Sequence, residues 1–280
     1  MSAAKVPLIL IEYELRKSLA RRRVLILVAI TFLLELGLYL VLKRMPQPFI
    51  EILSASPLTL VIIAPSAGLL HVLALTIGSS TSAEEYELGT ADYWMTRPLK
   101  RSSYFLGKTV GGLVLLFLIV FTYSILSLSV SWYVFGPQSK VEIFPIALAA
   151  SIASAAPFYA IGLAFGELLR RSMMSTIVAG AVFFASVLVE TYANFVALIA
   201  GDLTLREVVR FLPSWASTGL TPTILTDALG LSLNTPGAPF TGLGAENLWL
   251  AAASIFIYST VFFLIAWLRF RHSDVTRRAL

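Results

Sequence analysis

The chain has 280 residues, of which 58% are hydrophobic and only 13% are charged. Soluble domains average roughly 45–50% apolar and about 25% charged residues, so this composition excludes an ordinary soluble domain and indicates an integral membrane protein. There is no cysteine, which excludes disulfides and thiolate metal sites, and the formal net charge is +5.

The first segment, residues 5–22, is too polar to cross a membrane. Leu8, Ile11, Leu15 and Leu19 fall near one face of a helix, and the basic residues lie mostly off that face. This pattern predicts a helix that lies in the headgroup layer, with its basic side chains next to anionic lipid. The alternative is an ordinary positive flank before the first span.

Six apolar runs follow, each long enough for a helix to cross a hydrocarbon core of about 30 Å, which takes about 20 residues. They lie near 24–42, 58–78, 110–135, 144–168, 173–199 and 248–268. We therefore expect an all-α integral membrane fold with six transmembrane helices, which forms a single transmembrane domain over residues 1–280.

The distribution of basic residues predicts the orientation of these spans. If the N-terminus is cytoplasmic, 16 of the 21 Lys and Arg residues fall on the cytoplasmic side. Such an excess marks the cytoplasmic loops of membrane proteins. We therefore expect both termini in the cytoplasm, together with the long polar segment 79–108.

That polar segment is longer than a simple turn between two spans requires. Ser82 and Glu85 have the spacing of a capping box, which predicts that a short helix begins at Ser82. Gly89 is expected to end this helix, and Thr90 to cap a second one. A segment of this length and charge, 79–108, indicates contact with another molecule.

The detailed order of residues in this segment resembles one known family. It runs through a Glu-rich turn, a Gly-Thr pair, a helix with aromatic residues, a Pro beside basic residues, and a Gly-Lys pair that opens a span: Glu84, Glu85, Glu87, Gly89-Thr90, Tyr93, Trp94, Arg97-Pro98, Arg101 and Gly107-Lys108. This order is similar to that of the permease subunits of ABC transporters of the type-two exporter family.

The resemblance implies a function and a set of partners. Residues 79–101 would form the coupling segment that docks on separate ATPase subunits, through Glu84, Glu85, Glu87, Gly89, Thr90, Arg97 and Arg101. ATP and Mg²⁺ would be held by the ATPase, and this chain would carry no catalytic residue, cofactor or metal. A second permease copy, or a sister permease, would complete the export pathway in the cell membrane, and residues 5–22 would be the family's elbow helix.

Gly107-Lys108-Thr109 mimics the end of a phosphate-binding P-loop. The motif requires a first glycine five positions before Gly107, but Ser102 stands there. No strand precedes the segment and an apolar span follows it. We therefore expect no nucleotide to bind here.

Three ionisable residues fall within the predicted spans, namely Glu35, His71 and Glu190. Such residues are costly at membrane depth and face protein or water. They are interpreted as interhelical hydrogen-bonding groups or as a polar lining for a substrate. A proton or ion relay is the alternative, and it would make the chain an ion-coupled secondary transporter.

Two further questions stay open at this stage. The outer segment 200–247 contains a short amphipathic helix near 202–212 and several prolines, and it forms either a re-entrant hairpin or a surface loop. The chain as a whole could also be a non-transporting membrane anchor that recruits a cytoplasmic partner through residues 79–108.

Overall fold

A computed structural model describes residues 5–20, 22–44, 68–96, 99–137, 141–200, 204–229 and 247–272. Throughout these ranges the regular structure is helical and includes no strand. The helices, in chain order, are α1 (Lys5–Leu19), α2 (Arg22–Leu42), α3 (Leu69–Glu87), α4 (Thr90–Met95), α5 (Arg101–Phe135), α6 (Phe144–Leu169), α7 (Ser172–Ala200), α8 (Thr204–Val209), α9 (Pro213–Leu229) and α10 (Leu248–His272).

Five helices in the described part of the chain are long and apolar enough to cross a membrane, namely α2, α5, α6, α7 and α10. They coincide with the first, third, fourth, fifth and sixth predicted spans, which confirms the all-α membrane fold. The second predicted span, 58–78, begins outside the described residues, and α3 contains only its final part.

The centre of the bundle is the contact between α3 and α6. A Cβ atom at Gly162 of α6 would overlap the carbonyl oxygen of Leu75, and one at Gly78 of α3 would overlap that of Tyr159. Small residues at such crossings let two helix backbones approach closely, which allows helices to associate by van der Waals packing within a membrane. This crossing fixes α3 against α6.

A second close contact joins α1 to α5. A Cβ atom at Gly107 would lie 3.0 Å from the side chain of Leu10, and one at Gly111 would lie 2.9 Å from the Cβ of Glu14. The buried face of α1 therefore carries Leu10, Glu14 and Ser18, at intervals of four residues. The predicted apolar stripe lies elsewhere on the helix, and its end residue Leu8 is exposed.

The segment after α7 forms α8 within the helix predicted at 202–212, and then α9. Residues 213–223 of α9 are all buried, and the helix packs against α6, α7 and α10. Trp215 and Leu220 enter an apolar cluster with Ala193 and Ile255. A plain surface loop is therefore wrong for this part of the segment, and the re-entrant hairpin stays a prediction.

The capping-box prediction at Ser82 is also wrong. Helix α3 runs without a break from Leu69 to Glu87, and Ser82 is buried inside it. Gly89 ends this helix as predicted, but Gly89 rather than Thr90 is the N-cap of α4. The local capping signal is overridden because α3 contacts α6 on both sides of Ser82, at Ser79 against Gly166 and at Tyr86 against Glu167.

Candidate coupling site

The corner between α3 and α4 consists of Leu88 and Gly89. Gly89 has a φ of 68°, in the left-handed region that glycine adopts without a Cβ penalty. The backbone N–H of Leu88 donates to the carbonyl of Glu84 at 2.9 Å, and that of Gly89 donates to the carbonyl of Tyr86 at 3.3 Å. These bonds close the last turn of α3 and set a sharp, defined angle before α4.

Directly before this corner, Glu85 enters a buried ion-pair cluster with α1 and α5. The Nζ of Lys108 lies 2.5 Å from Oε1 of Glu85 and 3.2 Å from Oε2 of Glu14. The Nζ of Lys17 lies 3.2 Å from the same Oε1 of Glu85. Tyr104 donates a hydrogen bond to the other carboxylate oxygen, Oε2 of Glu85. Two acids and two lysines thus balance in formal charge.

This cluster is sealed from solvent, since the side chains of Glu14, Glu85 and Lys108 are at most 3% exposed. Burial alone would raise the pKa of the Glu85 carboxyl, but the ammonium groups of Lys108 and Lys17 outweigh burial and lower it. Glu85 is therefore held in its charged form. Removing one partner from such a cluster leaves an uncompensated buried charge, which is strongly destabilising.

The next two residues of α3 contact a different part of the bundle. The hydroxyl of Tyr86 donates to Oε2 of Glu167 at 2.8 Å, and the guanidinium of Arg170 lies over the Tyr86 ring, 4.7 Å from its centroid. Oε1 of Glu87 accepts a hydrogen bond of 2.9 Å from the backbone N–H of Ser172, the first residue of α7. A carboxylate at a helix N-terminus is also favoured by the helix dipole.

The outer surface of the corner is apolar and exposed. Leu88 is 70% exposed and Tyr93 is 56% exposed, and Gly89 lies between them in the chain. We call Leu88, Gly89 and Tyr93 the apolar rim. On the other side of α4, Trp94 meets the ring of Tyr13 edge-on, with centroids 5.2 Å apart. The corner therefore rests on aromatic packing and turns large apolar side chains outward, which is typical of an interaction surface.

The residues predicted to contact an ATPase fall into three groups. The exposed residues are Glu87, Gly89 and Arg101. Glu84 and Thr90 are half-buried, and Glu85 is buried. Arg97 lies outside the described residues. Glu85 thus faces the interior of this chain, and docking through the remaining residues stays a prediction.

Sequence reasoning missed the contacts within the chain that hold this segment in place. They involve Glu14, Lys17, Tyr86, Tyr104 and Glu167. One signal was available. Glu14 lies four residues after Leu10 and four before Ser18, so the three share a helix face, and Lys17 lies three residues after Glu14 beside it. Sequence spacing within α1 cannot show that Lys108 faces this position.

Gly107, Lys108 and Thr109 lie inside α5 and not in a loop. Gly107 is packed against Leu10, and Lys108 is paired with Glu14. A P-loop needs backbone N–H groups curled around phosphate between a strand and a helix. The Gly-Lys pair here serves helix packing and charge pairing instead.

The three intramembrane ionisable residues are placed separately. The side chain of Glu35, on α2, lies outside the described residues. His71 is buried between the rings of Phe158 and Phe183, with centroids at 5.3 and 5.6 Å.

Glu190 is buried on α7 and accepts a hydrogen bond of 3.4 Å from Thr218 of α9. The backbone of Ser217, the preceding residue of α9, faces His71. One turn of α9 therefore contacts both His71 and Glu190, which the sequence had not connected.

A helical bundle with five membrane-length helices in its described part, and a helical corner that extends from one end, defines a multi-pass membrane protein. The sequence matches the family described as ABC-2 family transporter protein over residues 8–275. Because the match covers nearly the whole chain, the protein belongs to this family, and it is the membrane permease component of an ABC transporter. No curated protein matches the chain significantly.

Proposed function

We propose that this chain is the permease half of an ATP-driven exporter. Two such halves, identical or sister chains, enclose the pathway, and separate ATPase subunits dock on the cytoplasmic corner formed by residues 79–101. ATP and Mg²⁺ bind to the ATPase, and this chain supplies no catalytic group. The observation that carries the proposal is the apolar rim, held at a fixed angle on a charge-paired base, in a chain of the ABC-2 family.

The apolar rim suits a groove on the ATPase with an apolar floor. Leu88 and Tyr93 provide apolar area, and the left-handed Gly89 between them leaves the backbone open, since a Cβ there would meet nothing within 4 Å. The carboxylate of Glu87 is exposed beside the rim, which favours a basic residue at the edge of the groove.

Helix α3 provides the path from the docking corner into the membrane. Its 19 residues span about 28 Å, and the helix is unbroken, so a shift at the corner moves its whole length. The close glycine contacts with α6 oblige α6 to follow. Closure of the ATPase subunits on ATP would therefore reorient the central helices and open the pathway alternately to each side.

The experiment is purification of the tagged chain from its native membrane in mild detergent, with mass spectrometry of the proteins that accompany it. We expect a stoichiometric protein that carries a P-loop. The double variant Leu88→Glu/Tyr93→Glu should lose this companion while the chain stays folded. The matched control is Tyr133→Glu, an exposed aromatic at the opposite end of α5, which should retain it.

Two outcomes would contradict the proposal. One is recovery of the wild-type chain without any ATPase. The other is equal retention of the ATPase by the rim variant and the control. Proton-driven uptake by vesicles that contain the chain alone would instead favour the ion-coupled secondary transporter, in which Glu35, His71 and Glu190 would carry the function. An ATPase that binds but never shows substrate-stimulated hydrolysis would favour the non-transporting anchor.

A further inference from the structure

Three consecutive residues at the end of α3, Glu85, Tyr86 and Glu87, contact two separate groups of helices. Successive residues of an α-helix are rotated by about 100° around its axis, so neighbours in the chain point in different directions. Glu85 points to α1 and α5, whereas Tyr86 and Glu87 point to α6 and α7. We call these three residues the junction.

The first arm of the junction connects α3 to α1 and α5. Glu85 is paired with Lys17 of α1 at 3.2 Å and with Lys108 of α5 at 2.5 Å. Lys108 is in turn paired with Glu14 of α1, and α1 is seated against the glycines of α5. Helices α1 and α5 therefore form one packed pair, and Glu85 links that pair to the end of α3.

The second arm connects α3 to the turn between α6 and α7. Glu167 near the end of α6 accepts from Tyr86, and Ser172 at the start of α7 donates to Glu87. Between them, Arg170 adopts a left-handed conformation with a φ of 53° and covers the Tyr86 ring. The end of α6, the turn and the start of α7 are thus all linked to Tyr86 and Glu87.

We propose that the junction is a positioning device that divides a displacement of the coupling corner between two helix groups, α1–α5 and α6–α7. The source of the displacement rests on the proposed function, whereas the two arms rest on the contacts of this chain alone. The peptide chain cannot make these links by itself, because α1 and α7 are remote from Glu87 in sequence.

The clustering of acidic residues in the sequence suggested that they all dock a partner. The structure instead separates positioning of the corner from docking. Glu85 is buried and paired with lysines of its own chain, so it positions the corner from within. The apolar rim, only a few residues further on, is exposed. Changes to Glu85 should therefore alter how the two groups move while the ATPase still binds.

The test uses distances between nitroxide labels in the full chain in lipid nanodiscs. The chain has no cysteine, so labels can be placed on introduced cysteines at exposed sites: position 16 on α1, 96 after α4 and 173 on α7. Pulsed EPR would measure the 16–96 and 96–173 distances, with labelled chains diluted by unlabelled ones. We expect one narrow distance peak for each pair in the otherwise wild-type chain.

Two variants are then compared, and each removes the side-chain contacts of one arm. Glu85→Gln/Lys108→Met removes one acid and one base, so the cluster stays neutral and the chain can fold. We expect loss of the narrow 16–96 peak and an unchanged 96–173 peak. Tyr86→Phe/Glu87→Gln should give the reverse. The proposal would be overturned if either variant broadened both distances. It would also be overturned if neither variant broadened either distance.

The matched control is Glu207→Gln/Arg210→Met, which removes an exposed acid–base pair on the segment around α8 and should change neither distance. These measurements need no ATPase, so failure to recover one contradicts the proposed function and not the junction.

Where an ATPase is recovered, ATP with vanadate should shift the 16–173 distance in the wild-type complex. Glu85→Gln/Lys108→Met, which changes only buried side chains, should keep the ATPase and lose this shift. Retention of the full shift in this variant would overturn the division of movement.

Discussion

Each end of α3 carries a buried ionisable side chain, but the polar contacts of the two side chains differ. Near the C-terminal end, Glu85 is paired with two lysines and accepts a hydrogen bond from Tyr104. Near the N-terminal end, His71 is buried between the rings of Phe158 and Phe183 and faces backbone groups of Ser154 and Ser217. The two residues lie about 21 Å apart along the helix.

The surroundings of His71 extend this contrast. The hydroxyls of Ser217 and Thr221 on α9 are buried and lack a hydrogen-bond partner in the part of the chain that the structure describes. A buried polar group without a partner costs about 1–3 kcal/mol. The Glu85 end is therefore held by polar links, whereas the His71 end is held by apolar and glycine packing and can rearrange at lower cost.

The largest expected effect is removal of the central cation. Lys108→Met leaves Glu14 and Glu85 buried with Lys17 as their remaining cation, and should lower the free energy of unfolding by about 3–5 kcal/mol. Thermal unfolding in detergent should show a lower midpoint. Glu85→Gln/Lys108→Met should recover most of the loss, and a double variant as unstable as Lys108→Met would contradict the charge-balance argument.

A smaller effect is expected at the centre of α3, between its two ends. Gly162→Ala places a methyl group against the carbonyl oxygen of Leu75 and should cost about 1–3 kcal/mol through overpacking. Gly180→Ala on α7 is the control, because a Cβ there meets nothing within 4 Å. Equal melting temperatures for the two variants would show that the α3–α6 contact is looser than described.

Acid should weaken the Glu85 end of α3. The folded-state pKa of Glu85 is lowered, so its contribution to stability is present above the unfolded-state pKa of about 4.5 and is lost as pH falls through the lowered value. We expect the melting temperature to fall with acidification, and to fall less in Glu85→Gln/Lys108→Met. Identical pH profiles for the two proteins would assign the acid sensitivity to other groups.

The smallest effect is expected at the His71 end. Ser217→Ala removes a buried hydroxyl without a partner in the described structure, so the change should be close to neutral or slightly stabilising. Tyr86→Phe, which removes a hydroxyl bonded to Glu167, should cost about 1 kcal/mol by comparison. A larger loss for Ser217→Ala than for Tyr86→Phe would reverse the contrast between the two ends.

The sequence predicted the membrane class and five of the helices well, because long apolar runs at helical length leave few alternatives. It did not predict that Glu85 is buried. Glu84, Glu85 and Glu87 look alike in sequence, and only the approach of α1 and α5 decides which of them faces Lys108.

The same limit explains the error in helix assignment. Ser82 and Glu85 have capping-box spacing, but α3 continues through them because its partner α6 extends alongside. The prolines after α7 are compatible with a surface loop or a re-entrant hairpin, and Pro213 stands at the first position of α9, where a missing N–H is tolerated. Local sequence cannot show which helices pack against either segment.

We propose that this permease receives mechanical work from a separate ATPase at the α3–α4 corner. A photoreactive phenylalanine analogue at position 93, activated in the native membrane, tests it most directly. We predict a crosslink to a P-loop ATPase from position 93 and none from position 133, at the far end of α5. Absence of an ATPase crosslink at position 93, or equal crosslinking from both positions, would contradict the account.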